Sequence, residues 1–412
     1  MTETAPIPVA DLEAMLLDPD VPDEVLRPYL IESASESGSF APVVRINPAT
    51  VEESILEAAV LLSPLNGLAR RRRQERYRRK IASGSPLRIV SEGDSWFQYP
   101  FLLKDVIDHL FDHHALFCLS AAGDLVSEMV DQSRELVAAI AAEDPAIILL
   151  SGGGNDLLGD GRLASALLPF EEGRRPEDYL GEAFRSNLSA ILRSWEELLT
   201  TVRSATPSVP IVCHSYDHAI PKNGRWLGKP LQRLGIVDSG LQRALIQLMV
   251  DQFHMELAAL LAKLPQAHLV DCRGVVRGRW HDELHPDNAG YRDVAARFGA
   301  RIDELTGRSI YPVPDRELES LAEVTPARDL NPREIIESWP AQALVAEIGL
   351  RSLSERADDN DLSLSVLSLE VSVPAFEDAA EGLLADARKH GIASLHLPPN
   401  LALMVEVALA TK

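Results

Sequence analysis

Three polar groups that could together move an acyl group lie far apart in this chain: Ser95, Asn155 and the pair Asp282 and His285. Serine is a weak nucleophile at its own pKa and needs an adjacent base. His285 can take its proton, and Asp282, three residues earlier, can fix the imidazole tautomer and stabilise the imidazolium. One loop turning into a helix places both on one side, with Asp287 or Asn288 as the cap of the helix that follows. Attack on a carbonyl also creates an oxyanion, which needs N–H donors held ready for it. The Gly123 backbone N–H and the Asn155 side-chain amide can supply them. Glycine suits position 123 because close approach of backbone to a ligand leaves no room for a side chain.

Such a set works only if the chain brings it to one place. Five short apolar runs read as buried strands: LRIV (87–90), ALFCLS (115–120), AIILLS (146–151), VPIVCHS (209–215) and AHLVD (267–271). Amphipathic helical stretches separate them, and that alternation predicts a parallel sheet covered by helices on both faces. In open parallel sheets, ligands bind outside the carboxyl ends of the strands. Gly93-Asp94-Ser95 follows the first run, Gly123 the second and Gly153-Gly154-Asn155-Asp156 the third. His214 to His218 follow the fourth, and the fifth leads to HDELHPDNAGY, with Asp282 and His285. The reactive groups therefore recur at one rim, while turns such as EDP (143–145) at the other rim read as plain connections.

These blocks resemble the SGNH hydrolases, also called the GDSL lipase/esterase family. Gly93-Asp94-Ser95-Trp96, Gly123, Gly153-Gly154-Asn155-Asp156 and Asp282-Glu283-Leu284-His285-Pro286 match its four blocks in order, over about residues 87–310. The resemblance implies a flavodoxin-like, three-layer α/β fold with a five-stranded parallel sheet. It implies Ser95 as nucleophile, Asp282 and His285 as the rest of a triad, and Ser95 N–H, Gly123 N–H and Asn155 Nδ2 as the oxyanion hole. It also implies an ester hydrolase of esterase, lipase or deacetylase type, acting on a small-molecule, lipid or carbohydrate ester without a metal or organic cofactor.

Other residues carry more than one reading. Trp96, Phe97, Tyr99 and Phe101 follow the serine and read first as core packing. Trp96 and Phe97, with His214 and Trp226, also form a candidate substrate pocket. The long polar connection 214–235 reads as a lid or specificity loop. Asp94 and Asp156 read as residues that hold loops by hydrogen bonds. His214, Asp217, His218, His281, Asp282 and His285 are metal-ligand types, but no HExxH accompanies them, so the metal-hydrolase reading ranks below the serine one.

The remainder bounds the molecule. The 412 residues are 46% hydrophobic with net charge −22, which disfavours nucleic acid and anionic membranes on average. There is no apolar run of about 18 residues or more, the start MTETAPIPVADLEAM lacks the basic-then-apolar order of a secretory signal, and Cys118, Cys213 and Cys272 form no CxxC pair, so a cytoplasmic setting is expected. Residues 1–82 read as an acidic helical segment, with 51–80 as one helix ending in a basic run. Eight of the eleven residues from Arg70 to Lys80 are basic. That run reads first as pairing with the chain's own acids and second as a surface for anionic phospholipid headgroups. Residues 83–312 read as the hydrolase domain and 313–412 as a small α+β module, the flanks offering docking for a protein partner. The rival functional class is a non-catalytic binding or scaffold protein that keeps the hydrolase fold.

Overall fold

The five apolar runs lie side by side in one parallel sheet. In the computed structural model the strands are β1 (Arg88–Glu92), β2 (Ala115–Cys118), β3 (Ile147–Leu150), β4 (Ile211–His214) and β5 (Ala267–Val270), in the order β2-β1-β3-β4-β5. Val90 pairs with Phe117 on one side and Ile148 on the other, so β1 is an interior strand. Every residue of β3 and β4 is buried. That explains their unbroken apolar text, since a strand covered on both faces cannot alternate. The structure describes residues 6–33, 37–38, 42–52, 65–159 and 161–311.

Helices cover the sheet in two groups, giving a three-layer α/β fold of flavodoxin-like order. To one group belong α3 (Val106–Phe111) and α9 (Asn288–Thr306), which pack on each other. To the other belong α4 (Val126–Asp131), α5 (Ser133–Glu143), the short α6 (Gly154–Leu158), α7 (Glu182–Ala205) and α8 (Ser239–Leu261). The 23-residue α8 is long and apolar enough to pass a compositional test for a membrane span. Here Leu245, Ile246, Met249, Phe253 and Leu257 are instead buried in the main core.

Near the start of the chain, α1 (Val9–Leu17) precedes an antiparallel pair, Leu30–Glu32 with Val44–Ile46. Ile7–Pro8 pairs with Val51–Glu52. The expected single helix over 51–80 is therefore corrected at its start. Val51 is a strand residue, because its side chain joins a small core with Val9, Leu12, Leu16, Leu30 and Ile46. The helix α2 runs Leu65–Ala82, and 53–64 lie outside the described residues.

Along the edge strand β2 packs α2, which shields an otherwise open sheet edge. The Tyr77 ring meets Phe117 edge-on, and Gln74 Nε2 donates to the Cys118 carbonyl. Its basic side chains point largely at the chain itself. Arg73 is buried and donates to Asp105 (2.5 Å), Asp108 (2.8 Å) and the Phe97 carbonyl (2.8 Å). Arg72 binds the carbonyls of Met15, Leu16, Asp18 and Val21 at the end of α1. Arg70 pairs with Glu135 and Arg79 with Asp20. Met1–Pro312 form one unit and Val313–Lys412 a second. The second unit, and with it the expected α+β module, lies outside the described residues.

Candidate active site

The carboxyl ends of β1, β3 and β4 are bolted together beneath Ser95. A Cβ at Gly93 would stand 2.6 Å from Ser151 Cβ and 2.9 Å from its carbonyl oxygen, so only glycine lets the two strand ends approach this closely. Asp94 accepts hydrogen bonds from the Trp96 N–H (3.1 Å), from Ser151 Oγ (2.8 Å) and from the Tyr216 hydroxyl. His214 Nε2 lies 2.7 Å from the same Ser151 Oγ, while its Nδ1–H donates to the Ser215 carbonyl. Asp94 thus holds the loop that presents the serine.

Ser95 Oγ lies 2.9 Å from His285 Nε2, and His285 Nδ1 lies 2.8 Å from Asp282 Oδ2. Ser95 and His285 are both buried. The second oxygen of Asp282 accepts from the backbone N–H groups of Leu284 and His285, both at 2.7 Å. Burial alone would raise the Asp282 carboxyl. The charge of the His285 ring, its hydrogen bond and the two N–H groups outweigh that and hold it at about 2. An isolated bridge between Trp280 and Pro286 closes this turn, and Trp96 Nε1 donates to the Leu284 carbonyl across it (3.2 Å). Asp287 caps α9 by accepting from the N–H groups of Ala289 and Gly290.

In the turn that follows β2, Gly123 takes φ +98°, a left-handed value that a side chain would strain. Asn155 is buried at the start of α6, and its Nδ2 donates to the Asp124 carbonyl at 2.7 Å. That bond ties the amide to the Gly123-Asp124 turn and uses one of its two N–H groups. Asp156 accepts from the Val126 N–H and so holds the start of α4. Burial raises three carboxyls here: Asp124 and Asp156 to about 6, and Glu92 to about 8 despite its bond from the Gly93 N–H.

No protein-family model and no curated protein matches the chain. Solved structures resemble it at low identity. A family 3 carbohydrate esterase from Clostridium thermocellum is 13% identical, with TM-score 0.34, over 54% of this chain and 98% of its own. A lipase from a goat rumen metagenome is 17% identical, with TM-score 0.36, over 52% and 96%. A phospholipase A1 from Streptomyces albidoflavus is 13% identical, with TM-score 0.35, over 51% and 98%. The fold assigned to this chain rests on its own strand order.

The expected substrate-pocket residues separate. Trp96 lines a small, mostly apolar pocket together with Leu157, Tyr216, Phe253, Trp280 and Leu284. Phe97 and His214 do not line it. Both are fully buried, and their rings stack on each other at 5.6 Å, with Trp96 and Phe298 packed against His214 as well. Trp226 lies on the 214–235 connection, half-buried, with the Arg225 guanidinium over its ring at 3.9 Å. Among the described residues, no group of three or more His, Cys, Asp and Glu is arranged to hold a metal. Asp217 is taken by the N–H groups of His218, Gly274 and Val276, and His218 by Asp251.

Two contributors escape a reading of the sequence. Glu32, far from every motif, accepts from the Tyr99 hydroxyl at 2.9 Å and stands 3.9 Å from His281. The Glu32 carboxylate beside it raises the His281 imidazole, and Tyr99 in turn meets the His285 ring edge-on at 4.9 Å. Nothing in a lone glutamate forecasts this. Glu283 is the second: it lies inside the Asp282–His285 turn and is buried, where a charged residue is ordinarily exposed.

Proposed function

We propose that this chain is a serine ester hydrolase that works through an acyl-enzyme. The reading is carried by the continuous chain Ser95 Oγ, His285 and Asp282, with contacts of 2.9 and 2.8 Å. Asp282 holds the Nδ1–H tautomer of His285, which leaves Nε2 as the acceptor that faces the serine. In the first half, His285 Nε2 takes the hydroxyl proton while Ser95 Oγ bonds to the acyl carbonyl carbon. The carbonyl oxygen becomes an oxyanion, received by the N–H groups of Ser95 and Gly123 and by Asn155 Nδ2. The tetrahedral species collapses, and His285 returns the proton to the departing alcohol oxygen. In the second half, His285 takes a proton from water, the resulting hydroxide attacks the ester carbonyl, and the acid leaves with Ser95 reprotonated.

The pocket beside Trp96 and Leu284, flanking Ser95 and His285 in sequence, suits a short apolar acyl group better than a charged one. The substrate class is therefore an O-acyl ester with an apolar acyl part. A fluorophosphonate probe and p-nitrophenyl acetate test the reading. Wild type is expected to label at Ser95 and to turn the ester over, and Ser95→Ala to do neither while keeping its circular dichroism. Absence of both in folded wild type would transfer the case to a binding or scaffold role.

A further inference from the structure

The carboxylate of Glu283 is buried inside a ring of backbone donors. Its Oε1 accepts from the N–H groups of Lys222 (2.8 Å), Gly224 (3.3 Å) and Gly228 (2.9 Å), and its Oε2 from those of Trp226 (2.9 Å) and Leu227 (3.0 Å). Converging backbone N–H groups form an anion-binding nest, and bonds to a charged acceptor are the strong kind. Two glycines make this nest buildable. A Cβ at Gly224 would overlap the Glu283 carboxylate, and one at Gly228 would overlap the Lys222 carbonyl. The Lys229 N–H, donating to the Gly224 carbonyl at 2.9 Å, closes the segment on itself.

Glu283 also belongs to the turn that aims the triad. Asp282 precedes it, and the His281 N–H donates to the His285 carbonyl at 2.9 Å, tying the two sides of the turn. Whatever holds the Glu283 side chain therefore holds the backbone between Asp282 and His285. We propose that Glu283 is a positioning residue, clasping segment 222–228 to the Asp282–His285 turn. The segment then moves with the triad, and is not a free lid. This inference rests on the reading of Ser95, Asp282 and His285 as a triad.

The test uses the full chain with two substitutions. Glu283→Ala opens the nest. Glu283→Gln keeps the volume but turns an NH2 group toward at least two N–H donors. Activity is read as p-nitrophenyl acetate turnover and as the rate of fluorophosphonate labelling. The clasp itself is read by tryptic cleavage after Lys222 and Arg225, which needs no activity. Both variants are expected to lose about tenfold to a hundredfold in kcat/KM, mostly in kcat, as misaimed catalytic groups do. Cleavage at the two sites should quicken about tenfold or more, as local opening becomes easier. Sodium formate should enter the empty nest of Glu283→Ala and restore turnover, but not rescue Glu283→Gln or speed wild type. Wild-type turnover and cleavage in both variants would overturn the proposal. So would a loss in Glu283→Ala that ignores formate and leaves cleavage unchanged. If Glu283→Ala does not fold, Glu283→Gln decides by kcat and cleavage together. If wild type neither labels nor turns over ester, the triad reading fails, and cleavage still judges the clasp alone.

Discussion

The Asp282 carboxylate accepts three hydrogen bonds, two from backbone and one from the His285 ring. Asp282→Asn keeps the shape, but the two backbone N–H groups retain its oxygen, so its NH2 group faces Nδ1 and favours the wrong tautomer. Its kcat on p-nitrophenyl acetate should fall by about 10,000-fold with little change in KM. The same carboxylate sits at about 2 in the folded chain, below its unfolded value. The unfolded state therefore binds more protons at low pH, so this stabilisation is complete above pH ~4 and is lost as pH falls toward ~2. Glu92 runs the opposite way. Burial lifts its carboxyl to about 8, so the folded chain keeps a proton that the unfolded chain releases above pH ~4.5. Stability should therefore fall as pH rises between ~4.5 and ~8. Urea titrations across that window should show a flatter slope for Glu92→Gln, which still offers an oxygen to the Gly93 N–H. The gain at pH 8 has an upper bound of ~4–5 kcal/mol from the size of the shift. An unchanged slope would contradict the assignment of a protonated Glu92.

At the scale of elements, α2 shows why a charge run cannot be interpreted from its own residues. Arg73 and Arg71 are indistinguishable in the text, yet Arg73 is buried between Asp105 and Asp108 while Arg71 is exposed. The difference comes from acids more than thirty residues away that meet α2 only once β2 is covered. Arg73→Ala would leave the buried Asp105 without its cation. That should cost about 3–5 kcal/mol in urea denaturation, whereas Arg71→Ala should stay within about 0.5 kcal/mol. Equal effects would mean that the Arg73 cluster adds nothing to the docking of α2. The start of the same segment failed as a helix for a related reason. Val51 pairs with Ile7, a contact set by the small core around Leu12 and not by local periodicity.

At the scale of the whole molecule, the legible part was the sheet and what stands at its rim. Strands buried on both faces must be apolar throughout, so β1 to β5 announce themselves, and the residues after each strand end follow in turn. Ser95, Asn155 and the Asp282/His285 pair could be singled out because three separate strand ends each carried a polar group of the needed type. Glu32 and the 222–228 nest could not, since their roles arise from backbone donors and a distant segment that meet only after folding. The same logic decides the chain's encounter with membranes. Its net charge is −22, and the guanidinium groups of Arg70, Arg72, Arg73 and Arg79 are engaged by the chain's own acids and carbonyls. A basic helix attracts anionic lipid only through charges left facing solvent, and the surrounding acidic surface opposes approach most strongly at low salt. The full chain should therefore stay in the supernatant when phosphatidylserine vesicles are sedimented, and lowering the salt should not bring it down. Co-sedimentation that weakens in Arg71→Ala and Arg78→Ala, the substitutions at exposed positions of α2, would instead make that helix a membrane-docking element.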